Sequence, residues 1–310
     1  NRDDIRVAAI SEIADHGSLE YLLRFDTIHG RFPDEVSIRG GNLYVLGRQI
    51  PLLSEKDPGD VPWDALGVDV VIEATGHVEF GTRVCFEAIR NGKHTILMGA
   101  EVDASVGPIL KTYADGAGVV YSYTDGDEPG VAMNLSRFLD GIGYRPVLMG
   151  QLKGFLDRYR NPDTQRELAE RLGQNPAVLA CFADGSKLAL EAAIMGNATG
   201  FVPRVRGMQG YPCEHVDDML DQFSPEDFAD EGYVDYSLGA APHTGAFVIC
   251  HNDVPAKREL MAYLKMGNGP LYMFYQPYHL PPWQVADSVA RAALFQDATI
   301  APRGGPSCDT

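Results

Sequence analysis

The chain has 310 residues, of which 45% are hydrophobic and 22% are charged, and its formal net charge is −17. This length allows two domains with a sizeable core, and the excess of acid argues against a partner rich in phosphate backbone. No apolar run reaches the roughly 18 residues that a membrane helix needs. The five cysteines are widely spaced, which favours the reduced thiols of a cytoplasmic protein over a disulfide framework.

Short apolar runs alternate with amphipathic segments through the first half of the chain. This alternation predicts a parallel sheet with helices on its faces. The predicted strands are 5–10, 68–76, 94–98 and 118–121, with a hairpin over 42–50. The predicted helices are 81–91, 106–114 and 129–140, and the strand 94–98 leads to the segment 99–103.

The second half is less regular, and its apolar runs predict a mixed sheet. The strands expected there are 146–151, 245–250 and 271–275, and the helices are 164–172, 177–182, 187–197, 255–264 and 285–295. The acidic tract 213–236 is interpreted as a surface excursion. The predicted fold class is therefore α/β, with a Rossmann-type parallel-sheet domain followed by an α+β catalytic domain that has its own mixed sheet.

An acidic residue, Glu12, follows the first predicted strand. At the end of the second strand of a dinucleotide-binding sheet, such a residue bonds the ribose, although a solvated loop glutamate fits equally well. On the first interpretation, the preceding strand and its Gly-rich pyrophosphate loop are missing from the chain. A carboxylate at this position favours NAD, because the 2′-phosphate of NADP would meet a like charge.

Several features of the first 76 residues occur together. They are the run Tyr21–Phe32, the hairpin, Asp57-Pro58, Trp63 and the sequence VDVVIEATG over 68–76. Residues 2–76 thereby resemble the NAD-binding domain of glyceraldehyde-3-phosphate dehydrogenase. The resemblance implies that Glu12 replaces the ribose-binding aspartate and that Thr75 and Gly76 lie beside the cofactor. The family's catalytic Ser-Cys-Thr-Thr run is missing, which argues against phosphorylating aldehyde oxidation.

From about residue 68 onwards the motifs are of another kind. They include GKHTILM, KGFLDRYRNPDT, DGSKLALE and NATG. These resemble the homoserine-dehydrogenase-like oxidoreductases, and among them the group that is like 1-deoxy-D-xylulose 5-phosphate reductoisomerase. The resemblance implies NAD(P)-dependent hydride transfer, a central catalytic domain and a small C-terminal β-domain of the SAF type. Because the closest members would use NADPH, the choice between NAD and NADP stays open.

These resemblances predict four consecutive parts of the chain. We expect an NAD(P)-binding domain over 1–122, incomplete at its N-terminus, and a catalytic domain over 123–282. A helix over 283–300 is expected to return to the nucleotide domain. Residues 301–310 are expected to begin a truncated C-terminal β-domain.

Two loops dense in polar side chains, 125–130 and 153–158, each follow a short apolar run. Ligands bind at the carboxyl ends of strands in such sheets, so we expect the chemistry between these loops. Lys153 could polarise a carbonyl or protonate an alkoxide, as hydride transfer requires. Asp125 and Asp127 could orient a lysine or a sugar hydroxyl, or bind a divalent metal, although a capped turn would also explain them.

Lys187 and Glu191 are one turn apart on a predicted helix. Lys187 lies in the first turn, where the helix dipole disfavours a cation, so an anionic neighbour is expected and Lys187 is predicted to be catalytic. The other predicted substrate ligands are Glu128, Arg158, Glu191 and Asn197, and the other predicted cofactor ligands are Gly99 and Glu101. His243, His251 and His279 have no partner fixed by spacing and are interpreted as packed side chains.

Two functions are compatible with these patterns. The first is an NAD(P)-dependent oxidoreductase acting on a small polar, anionic carbonyl or hydroxy compound, with a glyceraldehyde-3-phosphate-type dehydrogenase as its variant. The second is a non-catalytic protein of the same fold that senses a nucleotide or a metabolite. The locally basic segment 145–206 suits an anionic ligand, and a homo-oligomer is the default expectation.

Overall fold

The computed structural model describes residues 4–12, 16–26 and 30–305. Its strands are β1 (Ile10–Ser11), β2 (Phe25–Asp26), β3 (Gly30–Arg31), β4 (Val36–Arg39), β5 (Asn42–Val45), β6 (Arg48–Leu53), β7 (Val70–Glu73), β8 (His94–Leu97), β9 (Tyr121–Tyr123), β10 (Arg145–Lys153), β11 (Tyr211–Pro212), β12 (Tyr233–Leu238), β13 (Ala246–His251) and β14 (Leu271–Gln276). Its α-helices are α1 (His16–Arg24), α2 (Val78–Arg90), α3 (Ala100–Ala117), α4 (Glu128–Gly141), α5 (Pro162–Leu172), α6 (Pro176–Asp184), α7 (Ser186–Thr199), α8 (Pro255–Tyr263) and α9 (Pro281–Ala290).

The parallel sheet has the order β7-β8-β9, with Val71 opposite Thr95 and Thr95 opposite Tyr121. Helices α2 and α3 connect its strands, as the βα alternation predicts. Buried Cys85 and Ile89 of α2 belong to the same core cluster as residues of the strands. The α/β fold class is confirmed.

The mixed sheet has the order β11-β12-β10-β13-β14. Its long central strand, β10, is parallel to β12 and antiparallel to β13. Strand β12 corrects the sequence prediction, which placed this region in a surface excursion. Val234 and Ser237 of β12 are fully buried, as is the acid Asp235 between them, so this strand is covered on both faces although it begins within the acidic tract.

The N-terminal segment departs most from the prediction. The expected strand over 5–10 is wrong in extent, because only Ile10 and Ser11 form a strand. That strand pairs in parallel with β6, in a small sheet of order β1-β6-β5-β4. Hydrogen bonding within the described residues does not connect it to β7. The predicted hairpin over 42–50 is confirmed as β5 and β6.

Two boundaries affect the position of candidate residues. The helix predicted over 106–114 begins earlier than expected: α3 begins at Ala100, with Gly99 as an extended N-cap and with Glu101 and Asp103 in its first turn. Carboxylates are favourable there because they face the positive end of the helix dipole. Lys153 is the last residue of β10, whereas the prediction ended the strand at residue 151 and placed Lys153 after it.

The C-terminal part of the described chain packs against the parallel sheet. Val285 and Val289 of α9 pack against the cluster that contains Ile96 and Val120, and Ala292 in the following π-helical turn is fully buried in the same cluster. Ile300 then forms an antiparallel bridge with Tyr123. Residues 306–310, which are half of the expected start of the C-terminal β-domain, lie outside the described residues. No helix of the described chain is long and apolar enough to cross a membrane.

Candidate active site

A turn of four residues, Asp125 to Glu128, connects β9 to α4. Glu128 is the first residue of α4, and Pro129 follows it in the first turn, where a missing N–H costs nothing. Gly126 packs so closely against the segment before α9 that an added Cβ would lie 2.5 Å from the Leu280 carbonyl oxygen. The Leu280 amide donates a hydrogen bond to the Gly126 carbonyl at 2.7 Å. The chain before α9 is therefore held against the turn.

Three carboxyl groups surround one lysine beside this turn. The Lys187 Nζ lies 3.2 Å from the Glu128 Oε2 and 3.4 Å from the Asp127 Oδ1. It also forms an ion pair with Glu191, one turn further along α7. The Gln151 side chain of β10 donates to the Leu188 carbonyl at 3.2 Å and so ties the first turn of α7 to the mixed sheet. We call Asp127, Glu128, Lys187 and Glu191 the lysine–carboxyl cluster.

The charges of this cluster do not balance, since one ammonium faces three nearly buried acids. Burial first, and then a hydrogen bond with Asp127, raise the pKa of Glu128 to about 7 against the attraction of Lys187. Burial also opposes ionisation of Asp127, but the hydrogen bond with Glu128, the attraction of Lys187 and a hydrogen bond from the Tyr123 hydroxyl at 2.6 Å lower its pKa overall. The pair thus holds one titrating proton near neutral pH, on Glu128.

The other two members respond to the same imbalance. Burial, together with the nearby charge of Glu128, raises the pKa of Glu191 well above its usual range. Burial of Lys187 opposes its charge, but attraction by Glu191, Glu128 and Asp127 outweighs burial and raises the lysine pKa. Lys187 is therefore a permanent cation whose charge the cluster already neutralises.

His279 is a member of the site that the sequence analysis did not predict. Its Nδ1 lies 3.5 Å from the Glu128 Oε1 and 3.2 Å from the Thr244 hydroxyl. Burial lowers its pKa; the charge of Asp127 raises it, and those of Lys187 and Lys153 lower it. No spacing in the sequence connects position 279 to position 128. The rigid, proline-rich stretch around residue 279 was the only signal.

The imidazole and the two neighbouring acids also offer a possible place for a cation. One ligand atom from each of Asp127, Glu128 and His279 lies within 4.8 Å of the other two. Oxygen and imidazole nitrogen donors suit several divalent metals. The Lys187 ammonium, however, lies against the same carboxyl oxygens, so a metal ion would compete with it.

Lys153 lies at the end of β10, where its carbonyl accepts a hydrogen bond from the Gly239 amide at 2.7 Å. Its charge reaches His279, whose pKa it lowers. Among the residues that the structure describes, its ammonium forms no ion pair. Lys153 is therefore a partly exposed cation close to the lysine–carboxyl cluster, with its charge available to a ligand.

Three predicted residues lie apart from the cluster. Arg158 is exposed and donates to the hydroxyl of its neighbour Tyr159. Asn197 is ten residues from Lys187 on α7, or about 15 Å along the helix, and its carbonyl accepts from the Arg303 amide at 3.0 Å.

Asp125, the third, turns towards the C-terminal part of the chain. One of its carboxyl oxygens accepts from Thr299 at 2.5 Å and from Ser288 at 3.0 Å. The other accepts from Asn134 at 2.8 Å. These partners lie on α4, on α9 and beyond α9, so the carboxylate joins those segments to the turn after β9.

The predicted cofactor residues of the parallel sheet lie at the carboxyl ends of adjacent strands. Thr75 and Gly76 follow β7, and Gly99 and Glu101 follow β8. A Cβ added to Gly99 would lie 3.8 Å from the Gly76 Cα, so the two loops approach each other closely. This edge of the sheet is where dinucleotides bind in such folds. Glu12 lies on the small N-terminal sheet, where its amide donates to the Leu53 carbonyl at 2.9 Å.

Helix packing brings the cofactor edge and the cluster together. Helix α3, which carries Glu101, packs along α7, which carries Lys187 and Glu191. The thiol of Cys181 on α6 is within electrostatic range of Glu101, Lys187 and Glu191, and burial chiefly, with these neighbouring acids, raises its pKa. The predicted cofactor residues and the lysine–carboxyl cluster are therefore neighbours.

Comparison with known proteins identifies the class of this chain. Residues 126–284 match the family described as oxidoreductase DRL, catalytic domain. This match covers just over half of the chain, so the chain belongs to that family. Residues 1–80 match the NAD-binding domain of glyceraldehyde-3-phosphate dehydrogenase. The chain thus combines an oxidoreductase catalytic domain with an NAD-binding domain.

The individual relatives support the second of these matches. The chain is 37% identical over 112 residues to glyceraldehyde-3-phosphate dehydrogenase of Geobacillus stearothermophilus, which is 32% of this chain and 33% of that protein. It is 36% identical over 105 residues to glyceraldehyde-3-phosphate dehydrogenase of Haemophilus influenzae, which is 34% of this chain and 31% of that protein. It is 44% identical over 75 residues to glyceraldehyde-3-phosphate dehydrogenase A of Escherichia coli K12, covering 24% and 23%.

The chain therefore spans a third or less of the length of these curated relatives. The predicted resemblance of the N-terminal part to glyceraldehyde-3-phosphate dehydrogenase is confirmed, and so is the assignment to the oxidoreductases. The more specific resemblance to homoserine dehydrogenase and to the reductoisomerase stays a prediction.

Proposed function

We propose that the chain is an NAD(P)-dependent oxidoreductase that transfers hydride to or from a small, polar, anionic carbonyl or hydroxy compound. The observation that carries this proposal is the position of the lysine–carboxyl cluster. It lies at the end of β9, and α7, which bears its lysine, packs against α3 from the cofactor edge. A bound nicotinamide cofactor would supply or accept the hydride.

The side chains offer what such a reaction needs. When a carbonyl is reduced, negative charge develops on its oxygen, and the oxygen then takes a proton. Lys153 is the cation available to that oxygen, whereas the charge of Lys187 is already neutralised by its carboxyl neighbours. Glu128, with its pKa raised by burial to about 7, is suited to give or take the proton near neutral pH. We assign Lys187 and Glu191 to holding Asp127 and Glu128 in place.

The proposed roles of the remaining candidates follow from their contacts. Asp125 is assigned to structure, because both of its oxygens are bound by side chains of other segments. We place the cofactor at Thr75, Gly76, Gly99 and Glu101. The proposal also keeps the domain limits given above and a cytoplasmic location. It includes a homo-oligomer, which light scattering on the purified chain checks.

The test is steady consumption of NADH or NADPH with a panel of small aldehydes, ketoses and keto acids, compared between the parent and Glu128→Gln. Turnover that is strongly reduced in the variant, with an unchanged melting temperature, supports the proposal. Ligands that raise the melting temperature of the parent without any turnover would instead favour the sensor.

Metal dependence is a separate prediction. Because the Lys187 ammonium occupies the carboxyl oxygens that a divalent ion would need, we expect activity to survive dialysis against a chelator. Activity measured before dialysis, after it and after addition of Mg²⁺ or Mn²⁺ checks this expectation. Loss of activity that either ion restores would show that the reaction needs a metal, for which Asp127, Glu128 and His279 are the candidate ligands.

A further inference from the structure

Glu73, the last residue of β7, is a buried acid whose carboxyl group binds the turn that follows the strand. It is 1% exposed. Its Oε1 accepts two hydrogen bonds from one residue, from the Thr75 amide at 2.8 Å and from the Thr75 hydroxyl at 2.5 Å. Its Oε2 is buried and has no hydrogen-bond partner among the described residues. The carboxyl group is thus devoted to the turn that follows the strand.

The surroundings of Glu73 keep it in this position. A Cβ added to Gly81 of α2 would lie 2.8 Å from the Glu73 Oε1 and 2.8 Å from the Val102 side chain, so α2 and α3 both close over the carboxyl. Within the described part of the chain, no lysine or arginine forms an ion pair with it. A buried acid without a cation is costly unless hydrogen bonds compensate, and here the compensation comes from Thr75.

These bonds determine what Thr75 can offer to a ligand. A hydroxyl has one proton and two acceptor lone pairs, and the Thr75 proton is committed to Glu73. One lone pair receives a long contact from the His77 amide at 3.4 Å. Thr75 is exposed, so its other lone pair is accessible to a ligand. Because the proton is already used, the hydroxyl can only accept a hydrogen bond from that ligand. A partner at this position must therefore be a donor, such as a ribose hydroxyl or the amide of a nicotinamide.

We propose that Glu73 is a positioning residue for cofactor binding, which fixes Thr75 as a hydrogen-bond acceptor towards the dinucleotide where the β7 and β8 loops meet. The inference rests on the proposed placement of the cofactor at Thr75, Gly76 and Gly99. It adds two statements to that placement. Thr75 accepts the hydrogen bond from the dinucleotide, and Glu73, a buried residue outside the binding surface, sets this direction.

The experiment is a fluorescence titration of NADH into the parent chain and six variants. Thr75→Val removes the hydroxyl at an exposed position, and Thr75→Ser keeps it. Glu73→Met removes the acceptor, and Glu73→Gln keeps a carbonyl oxygen at the same place; Glu73→Met is also combined with Thr75→Val. Asp103→Asn is the matched control, because Asp103 is a second buried acid of this core that bonds Tyr121 rather than the turn.

Thr75→Val and Glu73→Met should each raise the Kd for NADH roughly 3- to 10-fold, the range of one hydrogen bond. Their combination should be no weaker than either alone, because both remove the same contact. Thr75→Ser, Glu73→Gln and Asp103→Asn should bind within about twofold of the parent. If Glu73→Met does not fold, Glu73→Leu takes its place in the same comparison, and the contrast between Thr75→Val and Thr75→Ser tests the Thr75 hydroxyl independently.

Two results overturn the inference: parent-like binding by Thr75→Val, or losses that multiply in the double variant. If the parent itself fails to bind NADH, the proposed cofactor site is wrong. If the parent binds NADH and the variants bind it equally well, the cofactor site stands and only the role of Glu73 is wrong.

Discussion

Asp103 is an acid held in the core by a single hydrogen bond. Its Oδ1 accepts from the Tyr121 hydroxyl at 2.9 Å, and its Oδ2 has no partner among the described residues. Burial raises the pKa of this carboxyl to about 7, while the bond from Tyr121 lowers it. The group thus keeps a proton in the folded protein at a pH where the unfolded chain has lost it.

The sign of the resulting pH effect follows directly. Between the unfolded pKa of about 4 and the folded pKa, the folded state binds the extra proton, so stability falls as pH rises, by up to about 1.4 kcal/mol per pH unit. Asp103→Asn cannot titrate. Melting temperatures at about pH 5 and pH 7.5 should therefore fall more with pH in the parent than in the variant. Identical slopes would contradict the assignment of the proton to Asp103.

The sequence-based placement of Glu12 beside the cofactor ribose makes a separate prediction. Glu12→Ala should weaken NAD binding, because a ribose hydrogen bond is lost, and should leave NADP binding equal or better, because repulsion of the 2′-phosphate is relieved. Titration of both reduced cofactors into parent and variant measures this. Unchanged affinity for both would mean that Glu12 is only a residue of the small N-terminal sheet.

At the scale of elements, the site depends on the contact between the turn after β9 and the segment before α9. Gly126→Ala would place a Cβ 2.5 Å from the Leu280 carbonyl oxygen and 2.6 Å from the Pro281 Cα. Because both are backbone atoms, we expect a loss of stability of about 1–3 kcal/mol and displacement of His279. Gly116→Ala in α3 is the control, since nothing lies within 4 Å of its Cβ and alanine favours a helix.

Thermal unfolding of both variants gives the comparison. Gly116→Ala should melt at or above the temperature of the parent, and Gly126→Ala should melt several degrees below it and lose activity. A Gly126→Ala variant with the parent's stability and activity would show that the two segments move apart without consequence.

Local patterns predicted most helices and strands, and the reason is physical. Amphipathic periodicity located α2 and α4, since a helix records its own buried face in its sequence, and the cap at Asp184–Ser186 located α7. The N-terminal strand was misjudged because its partner is the distant strand β6, and pairing between strands leaves no local trace. Strand β12 was missed because the acidic tract before it dominated the composition of the region.

The parts of the site that lie within one local stretch of chain could be predicted, and the contacts between distant stretches could not. The acidic turn and the Lys187–Glu191 pair were visible, because each lies within one turn of chain, and the structure adds that they meet. His279 could not be predicted, since its neighbour Glu128 is about 150 residues away and only tertiary packing joins them. Asp125 was visible as an acid, but its partners Ser288 and Thr299 were not, so its structural contacts emerged only from the fold.

At the scale of the whole molecule, the NAD-binding part and the catalytic part act as one enzyme only if substrate and cofactor meet beside the lysine–carboxyl cluster. In our account Lys153 stabilises the oxygen that becomes negative as hydride arrives. Its contribution therefore belongs to the transition state and hardly to substrate binding. Lys187, enclosed by acids, has a different function, so that Lys187→Met should leave buried carboxyl groups unpaired and lower stability.

The most direct measurement is the kcat of Lys153→Met on a substrate found with the parent, beside the exposed control Lys56→Met. We expect kcat to fall by about 10²–10³, as on removal of one oxyanion-stabilising donor. The KM, the affinity for the cofactor and the melting temperature should stay close to those of the parent, and Lys56→Met should match the parent throughout. A Lys153→Met protein that turns over at the parent's rate would contradict the account.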